Sequence, residues 1–412
     1  MKYDVVICGG GPGGSVCAAT LAKLGRRVLV VERERFPRFH LGESLLPQSM
    51  PVLRAIGVFD AAAERFIVKR GAHFHESETG KATRYAFADA FDKSVGSAFQ
   101  VPRDEFDDLL LRHAAKTGAE VREGVTVTRV IYDERHGRRF ASGVEVSDEA
   151  GRGARIEARF VVDATGRDAL LAHAGRMTEK VPQLDQTALF SHFQRCFREE
   201  GEREGDIQIV VFEPGWFWFI PFRDGRTSVG AVVKPDWLRS KRAQGTTGLD
   251  DLFAAAVAES PVATRFLDGA KQSWPVQAAA DFSYRVRDLR GDGWLTVGDA
   301  GGFLDPLFST GAHLAIVGGH EGAKVIDRAL AEGDVSKERF ADWEALVRKG
   351  ASLFLGAVQA FYRGELQPLL FAERQHPFLR HAITSMLSGD VFAGDERWQR
   401  EMRTRFPARW DA

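Results

Sequence analysis

The strongest hydrophobic pattern lies at the start of the chain, where two apolar runs flank a glycine-rich loop. The run Tyr3–Cys8 has little polar alternation, which is typical of a parallel strand covered on both faces. A helical stretch follows the loop, and a second apolar strand spans Arg27–Val31 with Glu32 at its end. The pattern therefore predicts a strand, a tight turn, a helix and a second strand.

The glycine loop has the spacing of a dinucleotide-binding site. Gly9, Gly11 and Gly14 occupy the G-x-G-x-x-G positions, which permit a tight turn, close approach of the backbone to a pyrophosphate, and close packing of the helix on the sheet. The helix N-terminus offers free N–H groups to the phosphates. Glu32 places a carboxylate where an adenosine ribose presents its 2′-hydroxyl. The motif alone would also fit an ordinary glycine-rich turn, but the whole unit predicts dinucleotide binding.

The hydrophobic spacing that follows predicts the rest of a nucleotide-binding domain. A helix interrupted early by prolines is expected over Leu45–Ile56. Asp104 is predicted to cap a helix that ends at Gly118. Trp294–Val297 is predicted to be another core strand, with the Gly298-Asp299-Ala300 turn at its carboxyl end. A three-stranded meander and a separate core strand are expected over 125–132, 140–146, 155–160 and 161–166.

The pattern changes in the middle of the chain and again near the C-terminus. The stretch 71–100 alternates short strand-like pieces with turns, which predicts an excursion into a neighbouring sheet. Between 176 and 287 the strands are longer and predict a mostly antiparallel sheet, with members at Gln208–Glu213, Trp216–Phe222 and Thr227–Val233. Beyond Gly311 the spacing is helical.

These elements predict an α/β fold with a Rossmann-type nucleotide-binding domain, a β-sheet substrate domain and C-terminal helices. The predicted nucleotide-binding domain is discontinuous. The nucleotide-binding domain is predicted to comprise 1–70, 101–175 and 288–345, and the substrate domain 71–100 and 176–287. The C-terminal helical region is predicted at 346–412.

Composition narrows the class of protein. The 412 residues contain 56 Lys plus Arg and 57 Asp plus Glu, so the net charge of −1 gives no general attraction to nucleic acid. Cys8, Cys17 and Cys196 lack zinc-like or C-x-x-C spacing, so neither a metal site nor a disulfide is expected. No apolar run is long enough to span a bilayer, and the first strand leaves no room for a signal peptide, so the expected location is the cytoplasm.

Three cofactor-type signatures stand in order along the chain: GGGPGG with Glu32, DATG at 163–166, and GDA at 298–300. Together they resemble the FAD-dependent monooxygenase superfamily. The resemblance implies an aromatic-hydroxylase-like architecture with extended FAD, and it implies that Gly298 and Asp299 lie near the ribityl and pyrophosphate groups. Arg103 matches an arginine beside the flavin in that superfamily. From the residues alone, Arg103 could reach an anionic ligand or lie on the surface.

A motif in the predicted antiparallel sheet narrows the resemblance. The segment 215–221, GWFWFIP, looks like the G-W-x-W-x-I-P signature of flavin-dependent halogenases. The resemblance implies that Trp216 and Trp218 close one face of the flavin and keep organic substrate away from it. Without the resemblance, the same residues would be read as a strand with aromatic side chains on one face.

Lys69 lies in VKRGAHF, which resembles the segment that carries the essential lysine of the halogenases. Read alone, a lysine is usually a solvated side chain. Arg70 is the candidate if the register shifts by one residue. The loop 36–47, FPRFHLGESLLP, also resembles the halogenases, although it supports the superfamily more than the reaction.

The segment 305–311, DPLFSTG, is similar to the one that holds chloride by backbone amides, which assigns Ser309, Thr310 and Gly311 to the halide. Tryptophan halogenases carry a glutamate where this chain has Phe308. That departure argues against free tryptophan as the substrate, and it favours an electron-rich phenol or pyrrole, either free or tethered to a carrier protein.

The resemblance implies an enzyme that uses reduced FAD, oxygen and chloride or bromide to make hypohalous acid. Lys69 would pass the halogen on, either as a haloamine or through a hydrogen bond, to an aromatic ring in natural-product (antibiotic) biosynthesis. The chain has one dinucleotide fingerprint, so a separate flavin reductase is expected to supply reduced FAD, although single-component hydroxylases share this feature. The open alternatives are an FAD-dependent aromatic hydroxylase or other FAD oxidoreductase, and a non-catalytic FAD-binding protein.

Overall fold

The computed structural model describes residues 3–135, 137–280, 282–392, 394 and 396–409. The strands of these residues are β1 (Tyr3–Cys8), β2 (Val28–Glu32), β3 (Ile67–Lys69), β4 (Gly71–Glu76), β5 (Ala82–Ala86), β6 (Ala98–Gln100), β7 (Glu120–Glu123), β8 (Val125–Arg135), β9 (Arg138–Asp148), β10 (Gly153–Asp163), β11 (Thr178–Lys180), β12 (Thr187–Gln194), β13 (Ile207–Phe212), β14 (Gly215–Pro221), β15 (Arg226–Val233), β16 (Lys271–Gln272), β17 (Gln277–Ala280), β18 (Tyr284–Val286), β19 (Arg290–Gly291), β20 (Trp294–Thr296) and β21 (Gly302–Phe303).

The α-helices of the same residues are α1 (Pro12–Lys23), α2 (Met50–Ile56), α3 (Phe59–Arg65), α4 (Arg103–Thr117), α5 (Leu170–Ala174), α6 (Pro235–Ala243), α7 (Leu249–Ala258), α8 (Pro261–Phe266), α9 (Thr310–Glu332), α10 (Ala341–Tyr362), α11 (Gln367–Leu370), α12 (Pro377–Leu387) and α13 (Arg397–Arg405). No helix in the described part of the chain is both long and apolar enough to cross a membrane.

The first sheet is built around β1, in the order β19-β20-β10-β1-β2-β7, with β9 and β8 added beside β10. β1 runs parallel to β2 and to β10, as in a Rossmann-type fold. Val5 and Ile7 pack into the core that contains α1, while Val6 and Cys8 pack against apolar residues of the meander strand β9. Because both faces of β1 are covered, all six of its residues are buried, which explains the uniform apolar run.

The chain from Gly153 to Asp163 is one strand, β10, and the prediction of two separate elements at 155–160 and 161–166 was wrong. Its first half pairs antiparallel with β9, and its second half pairs parallel with β1 and β20. The first half has one exposed face and the second half is buried on both. Because the burial pattern changes within the strand, the sequence suggests two elements although the backbone forms one continuous strand.

The helix after the first crossover also differs from its prediction at one end. Asp104 does not cap it: the N-cap is Pro102, two residues earlier than predicted, and Asp104 lies inside the first turn. The side chain of Arg103 pairs with Asp107 at 2.7 Å and closes that turn, so the start is defined by an ion pair rather than by a cap. The helix ends at Gly118 in a left-handed conformation, as predicted.

The second sheet has the order β16-β12-β15-β14-β13-β4-β5, with β17 beside β12. Its pairs are antiparallel except for β13 with β4, which confirms a mostly antiparallel sheet. One face packs on C-terminal helices that include α10 and α12, and the other packs on α7 and α8. The observed elements confirm the predicted α/β class. The predicted domain boundaries remain a prediction, and residues 1–2 and 410–412 of the outer ranges lie outside the described residues.

Candidate active site

A cavity of about 520 Å³ has walls from both large sheets. It brings together eleven of the predicted site residues: Gly9, Gly11, Glu32, Arg103, Trp216, Trp218, Gly298, Asp299, Ser309, Thr310 and Gly311. The two other predicted site residues, Gly14 and Lys69, do not line it. One continuous cavity therefore connects the dinucleotide motif with the tryptophan motif.

The end of the cavity at β1 and β2 is built from the glycine loop. The backbone N–H of Gly10 donates to the Glu32 carboxylate at 2.7 Å, which fixes the acid at the cavity wall. Gly11 has ordinary extended backbone angles, and a Cβ placed there would meet only the Arg38 guanidinium, at 3.7 Å. A Cβ on Gly14 would lie 2.0 Å from the Gly9 carbonyl oxygen. Gly11 therefore keeps space open for a ligand, whereas Gly14 permits α1 to pack closely on the end of β1.

Arg103 is buried at the cavity wall, and its guanidinium forms hydrogen bonds with residues of the same chain. Its guanidinium donates to both carboxylate oxygens of Asp107, at 2.7 and 2.9 Å, and to the carbonyls of Leu41 and Gly42, at 2.8 and 3.2 Å. The arginine thus anchors the loop 36–47 to α4. Its neighbour Asp299 lies half-buried in the turn after β20, where burial raises the pKa of the carboxyl to about 6 against the opposing charge of Arg103.

Two indoles form the wall that β14 contributes. The rings of Trp216 and Trp218 lie 5.9 Å apart on the cavity face. Trp218 donates from its indole N–H to Ser228 Oγ at 3.1 Å, and a Cβ on the facing Gly230 would lie 2.2 Å from its ring. Trp216 donates to the hydroxyl of Tyr362 at 2.9 Å. Both rings are therefore held in fixed orientations.

The Tyr362 hydroxyl carries the connection from Trp216 to the predicted halide turn. It donates to Asp305 at 3.0 Å, and the other oxygen of Asp305 accepts the backbone N–H of Leu307 at 2.9 Å. Burial raises the pKa of the Asp305 carboxyl to about 7, against the two hydrogen bonds that it accepts. The chain passes through Ser309 in a left-handed conformation, with φ of 57°, and then enters α9. The first-turn amides of α9 thus lie at the cavity.

Lys69 lies behind the cavity and is only 2 % exposed. Its ammonium nitrogen donates to Ser44 Oγ at 2.8 Å and to the Leu45 carbonyl at 3.1 Å, and it lies 5.2 Å from the centre of the Phe87 ring. Burial lowers the pKa of this lysine to about 7, although Asp206 opposes the shift. Ser44 lines the cavity, so one side chain separates Lys69 from it.

Arg70, the alternative to Lys69, has a different setting. Its side chain is exposed, and its guanidinium donates to the Glu202 carbonyl at 3.4 Å. Its backbone N–H donates to Asp206 at 2.8 Å. Only the lysine therefore presents a buried, perturbed amine beside the cavity.

The sequence reasoning missed several polar side chains at the site. Glu43 lines the cavity, and one of its oxygens lies 2.8 Å from His192 Nε2. Its other oxygen is buried and has no hydrogen-bond partner in the described part of the protein. Glu43 and Ser44 were inside the quoted loop 36–47, so their polar character between apolar neighbours was an available signal. Tyr362 gave no such signal, because it lies in an ordinary helical pattern.

Within the described ranges, no group of three or more His, Cys, Asp or Glu side chains could hold a metal ion. A family model described as tryptophan halogenase matches residues 4–95 and 81–366. The chain belongs to this family of flavin-dependent halogenases. The resemblance inferred from the motifs is thereby confirmed, as are the predicted enzyme class and the use of FAD with chloride or bromide.

Two individual relatives are also halogenases. The halogenase is 32 % identical to a 1H-pyrrole-2-carbonyl-[peptidyl-carrier protein] chlorinase of Pseudomonas fluorescens, over 95 % of this chain and 90 % of the relative. It is 30 % identical to the corresponding brominase of Pseudoalteromonas luteoviolacea, over 95 % and 93 %. A solved structure described as a flavoprotein/dehydrogenase from Cytophaga hutchinsonii matches with a TM-score of 0.89 and 30 % identity, covering 98 % of this chain and 97 % of that one.

The residues of the halogenase cavity fit FAD. The open space over Gly11 admits a pyrophosphate, and Glu32 lies at the wall beside it with carboxylate oxygens able to accept from a ribose. Glu43 also lines the cavity, and its oxygen that lacks a partner among the described residues offers an acceptor to a ligand. The cavity lining thus has groups that can bind the cofactor.

Replacing Tyr362 with phenylalanine should lower halogenated product about tenfold, because Trp216 and Asp305 both lose a buried hydrogen-bond partner. We expect the apparent KM for halide to rise while FAD retention stays unchanged, since the tyrosine holds Asp305 at the predicted halide turn and does not itself line the cavity. Steady-state assays over a series of bromide concentrations measure this. Tyr85→Phe is the matched control, because the Tyr85 hydroxyl also donates to one partner and accepts from another, at 3.1 and 2.7 Å, away from the cavity lining. A fall in thermal stability with an unchanged halide KM would assign Tyr362 a purely structural role.

Proposed function

We propose that this halogenase transfers chlorine or bromine to an electron-rich phenol or pyrrole ring, presented as a thioester on a carrier protein or as a free compound. The observation that carries the proposal is Phe308, which is buried beside the halide turn where tryptophan halogenases carry a glutamate. Without that carboxylate, the ring must stabilise its own cationic intermediate. The oxygen lone pair of a phenol or the nitrogen lone pair of a pyrrole does so. Two relatives that act on a carrier-bound pyrrole support this class.

Each part of the site has a role in this proposal. Reduced FAD and halide, when bound, each supply two electrons, so that O₂ becomes water and hypohalous acid. The glycine loop and Glu32 hold the adenosine end, and the first-turn amides of α9 hold the halide as an anion. The indoles of Trp216 and Trp218 exclude the organic substrate from this part of the cavity.

Lys69 receives the oxidant through its one uncommitted position. Two of its N–H bonds are directed at Ser44 Oγ and the Leu45 carbonyl. The remaining position carries a lone pair when the amine is neutral and a proton when it is charged. Since burial lowers the pKa to about 7, the neutral form is populated at neutral pH. We therefore propose that halogen is carried on the lysine as a haloamine.

The yield of halogenated product per FAD oxidised should rise with pH through about 7. Lys69 has a pKa below its ordinary value, so it is charged below pH 7 and becomes a nucleophile above it. Single-turnover reactions with pre-reduced FAD between pH 6 and 8.5 measure this, with the rate of FAD reoxidation as the internal control. A yield that falls over the same range would exclude the haloamine route and would favour a hydrogen bond from the ammonium.

We further propose that a separate flavin reductase in the cytoplasm delivers the reduced cofactor, since the sequence has one dinucleotide fingerprint. When purified enzyme is mixed with FAD and NADH, the absorbance of oxidised flavin at about 450 nm should then stay unchanged until a reductase is added. Bleaching with NADH alone would indicate a single-component enzyme.

A substrate panel tests the proposed ring class. Enzyme, reductase, FAD and bromide or chloride are combined with free tryptophan, a free phenol, and the same phenol and a pyrrole as carrier thioesters. We expect halogenated phenol or pyrrole, detected by mass spectrometry from the isotope pattern of the halogen. Efficient turnover of tryptophan alone would refute the proposal, and a hydroxylated product independent of halide would replace it with aromatic hydroxylation.

A further inference from the structure

The amine of Lys69 shares one face of a small ladder with two other polar side chains. Gln100 on β6 pairs with Ile67 on β3, and Lys69 pairs with Ala98. On its other side, Gln100 forms a bridge with Ser44. Paired residues, and residues two apart on one strand, project to the same face of a sheet. Ser44, Gln100 and Lys69 therefore project to the same face.

Gln100 is fully buried but only half satisfied. Its amide nitrogen donates to the Gly205 carbonyl at 2.9 Å. Its carbonyl oxygen, Oε1, is buried and has no hydrogen-bond partner in the part of the chain that the structure describes. Because an unpaired buried acceptor is costly, such a group in a functional region indicates a ligand that donates a hydrogen bond.

The chemistry of this face restricts the ligand. It must be small, because Lys69 and Gln100 are both buried, and it must carry a hydrogen-bond donor for Gln100 Oε1. It must also have an electrophilic end for the uncommitted position of the amine. We propose that Gln100 and Lys69 form a binding site for hypohalous acid, in which Gln100 Oε1 accepts the O–H and the halogen faces the lysine nitrogen. This inference rests on the proposed role of Lys69.

The site orients a balanced transfer. The lysine lone pair forms an N–X bond as the O–X bond breaks, and the departing hydroxide takes one amine proton to become water. In the second step the aromatic carbon forms the C–X bond, the N–X bond breaks, and the ring proton returns to the amine. Gln100 holds the oxygen of the acid in line behind the halogen, while Ser44 and Leu45 hold the amine. Gln100 thus limits escape of the oxidant.

Two variants separate this role from packing. Gln100→Met keeps the length of the side chain and removes the acceptor. Gln399 on α13 provides the matched control, because it is also fully buried, donates to one backbone carbonyl at 3.0 Å and has an Oε1 without a partner among the described residues. Gln399→Met therefore removes the same kind of buried acceptor and the same donated hydrogen bond, at a position far along the chain from Lys69.

Two measurements are made on each variant. The first is the ratio of halogenated product to hypohalous acid that escapes and is trapped by taurine in the medium, during turnover with reductase and FAD. The second needs no flavin: FAD-free protein is treated with less than one equivalent of hypochlorous acid, and mass spectrometry quantifies chlorine on Lys69. We expect Gln100→Met to lower both values about tenfold, the effect of one lost hydrogen bond to a reacting ligand. Gln399→Met should stay within about twofold of the wild type.

The outcomes test the role of Gln100 separately from the proposed halogenase function. Wild-type values for both measurements in Gln100→Met would overturn the inference. Gln100 would then bind no more than a water molecule. An equal loss in Gln399→Met would overturn it as well, since packing would then explain the effect. Absence of product from the wild type with every aromatic tested would instead refute the proposed function, and chlorine uptake by Lys69 in FAD-free protein would still decide the role of Gln100.

Discussion

Replacing Lys69 with methionine is expected to abolish halogenation, with product falling about a hundredfold or more, while the protein retains FAD and continues to consume oxygen. The cofactor residues lie in the main cavity, whereas the lysine lies behind Ser44, so its loss removes the carrier of the halogen and leaves the formation of oxidant intact. Hypohalous acid should then accumulate in a taurine trap. Methionine fills the space of the lysine stem beside Phe87 and avoids a cavity.

The neighbouring arginine supplies the control for this experiment. Arg70→Met removes an exposed guanidinium one residue away, so product formation should stay within about twofold of the wild type. Mass spectrometry of the product and flavin absorbance of the purified proteins are the two readouts. Retained halogenation in Lys69→Met would show that the lysine is not essential. Loss of halogenation in Arg70→Met as well would then assign the essential role to the arginine.

Replacing Gly11 with valine should yield a folded protein that is purified without flavin. The extended backbone at Gly11 accepts a side chain without strain, and a Cβ there contacts only Arg38, so folding is unaffected. The branched side chain would then occupy the space in which the pyrophosphate approaches the backbone. The absorbance ratio of bound flavin to protein measures the effect, and we expect it to fall at least about tenfold.

Substitutions at two further glycines serve as controls for this result. Gly153→Val makes the same change in an exposed strand, where the nearest atom to a Cβ is 3.8 Å away, and should retain flavin fully. Gly14→Ala should instead reduce soluble protein, because its Cβ would overlap the Gly9 carbonyl at 2.0 Å. Normal flavin content in Gly11→Val would contradict the assignment of the glycine loop to the cofactor.

The predictions from sequence were most accurate where function depends on short, contiguous segments. The run Tyr3–Cys8 and the glycine loop after it were correct because both faces of β1 are buried and the turn needs glycine at fixed spacing. The tryptophans on β14 were identified by their resemblance to the G-W-x-W-x-I-P signature, and strand periodicity places both on the cavity face. Eleven of the predicted site residues line one cavity.

The contacts that organise the site could not be predicted, because they join distant parts of the chain. Glu43 and His192 are 149 residues apart, and Trp216 and Tyr362 are 146 residues apart. No local pattern records such pairs, since each partner lies in an ordinary strand, loop or helix. The wrong cap at Asp104 has a related cause: the Arg103 side chain, which also ties α4 to the loop 36–47, sets the start of the helix.

The enclosure of Lys69 has a consequence for timing. In the proposed mechanism, a haloamine on Lys69, a residue that is only 2 % exposed, is shielded from the thiols and other reductants of the surrounding solution. On this proposal, the enzyme is loaded with oxidising equivalents before its aromatic acceptor arrives and holds them between encounters. Supply of electrons by the reductase and delivery of the ring then need not coincide, which suits a substrate that arrives intermittently on a large and slowly exchanging partner.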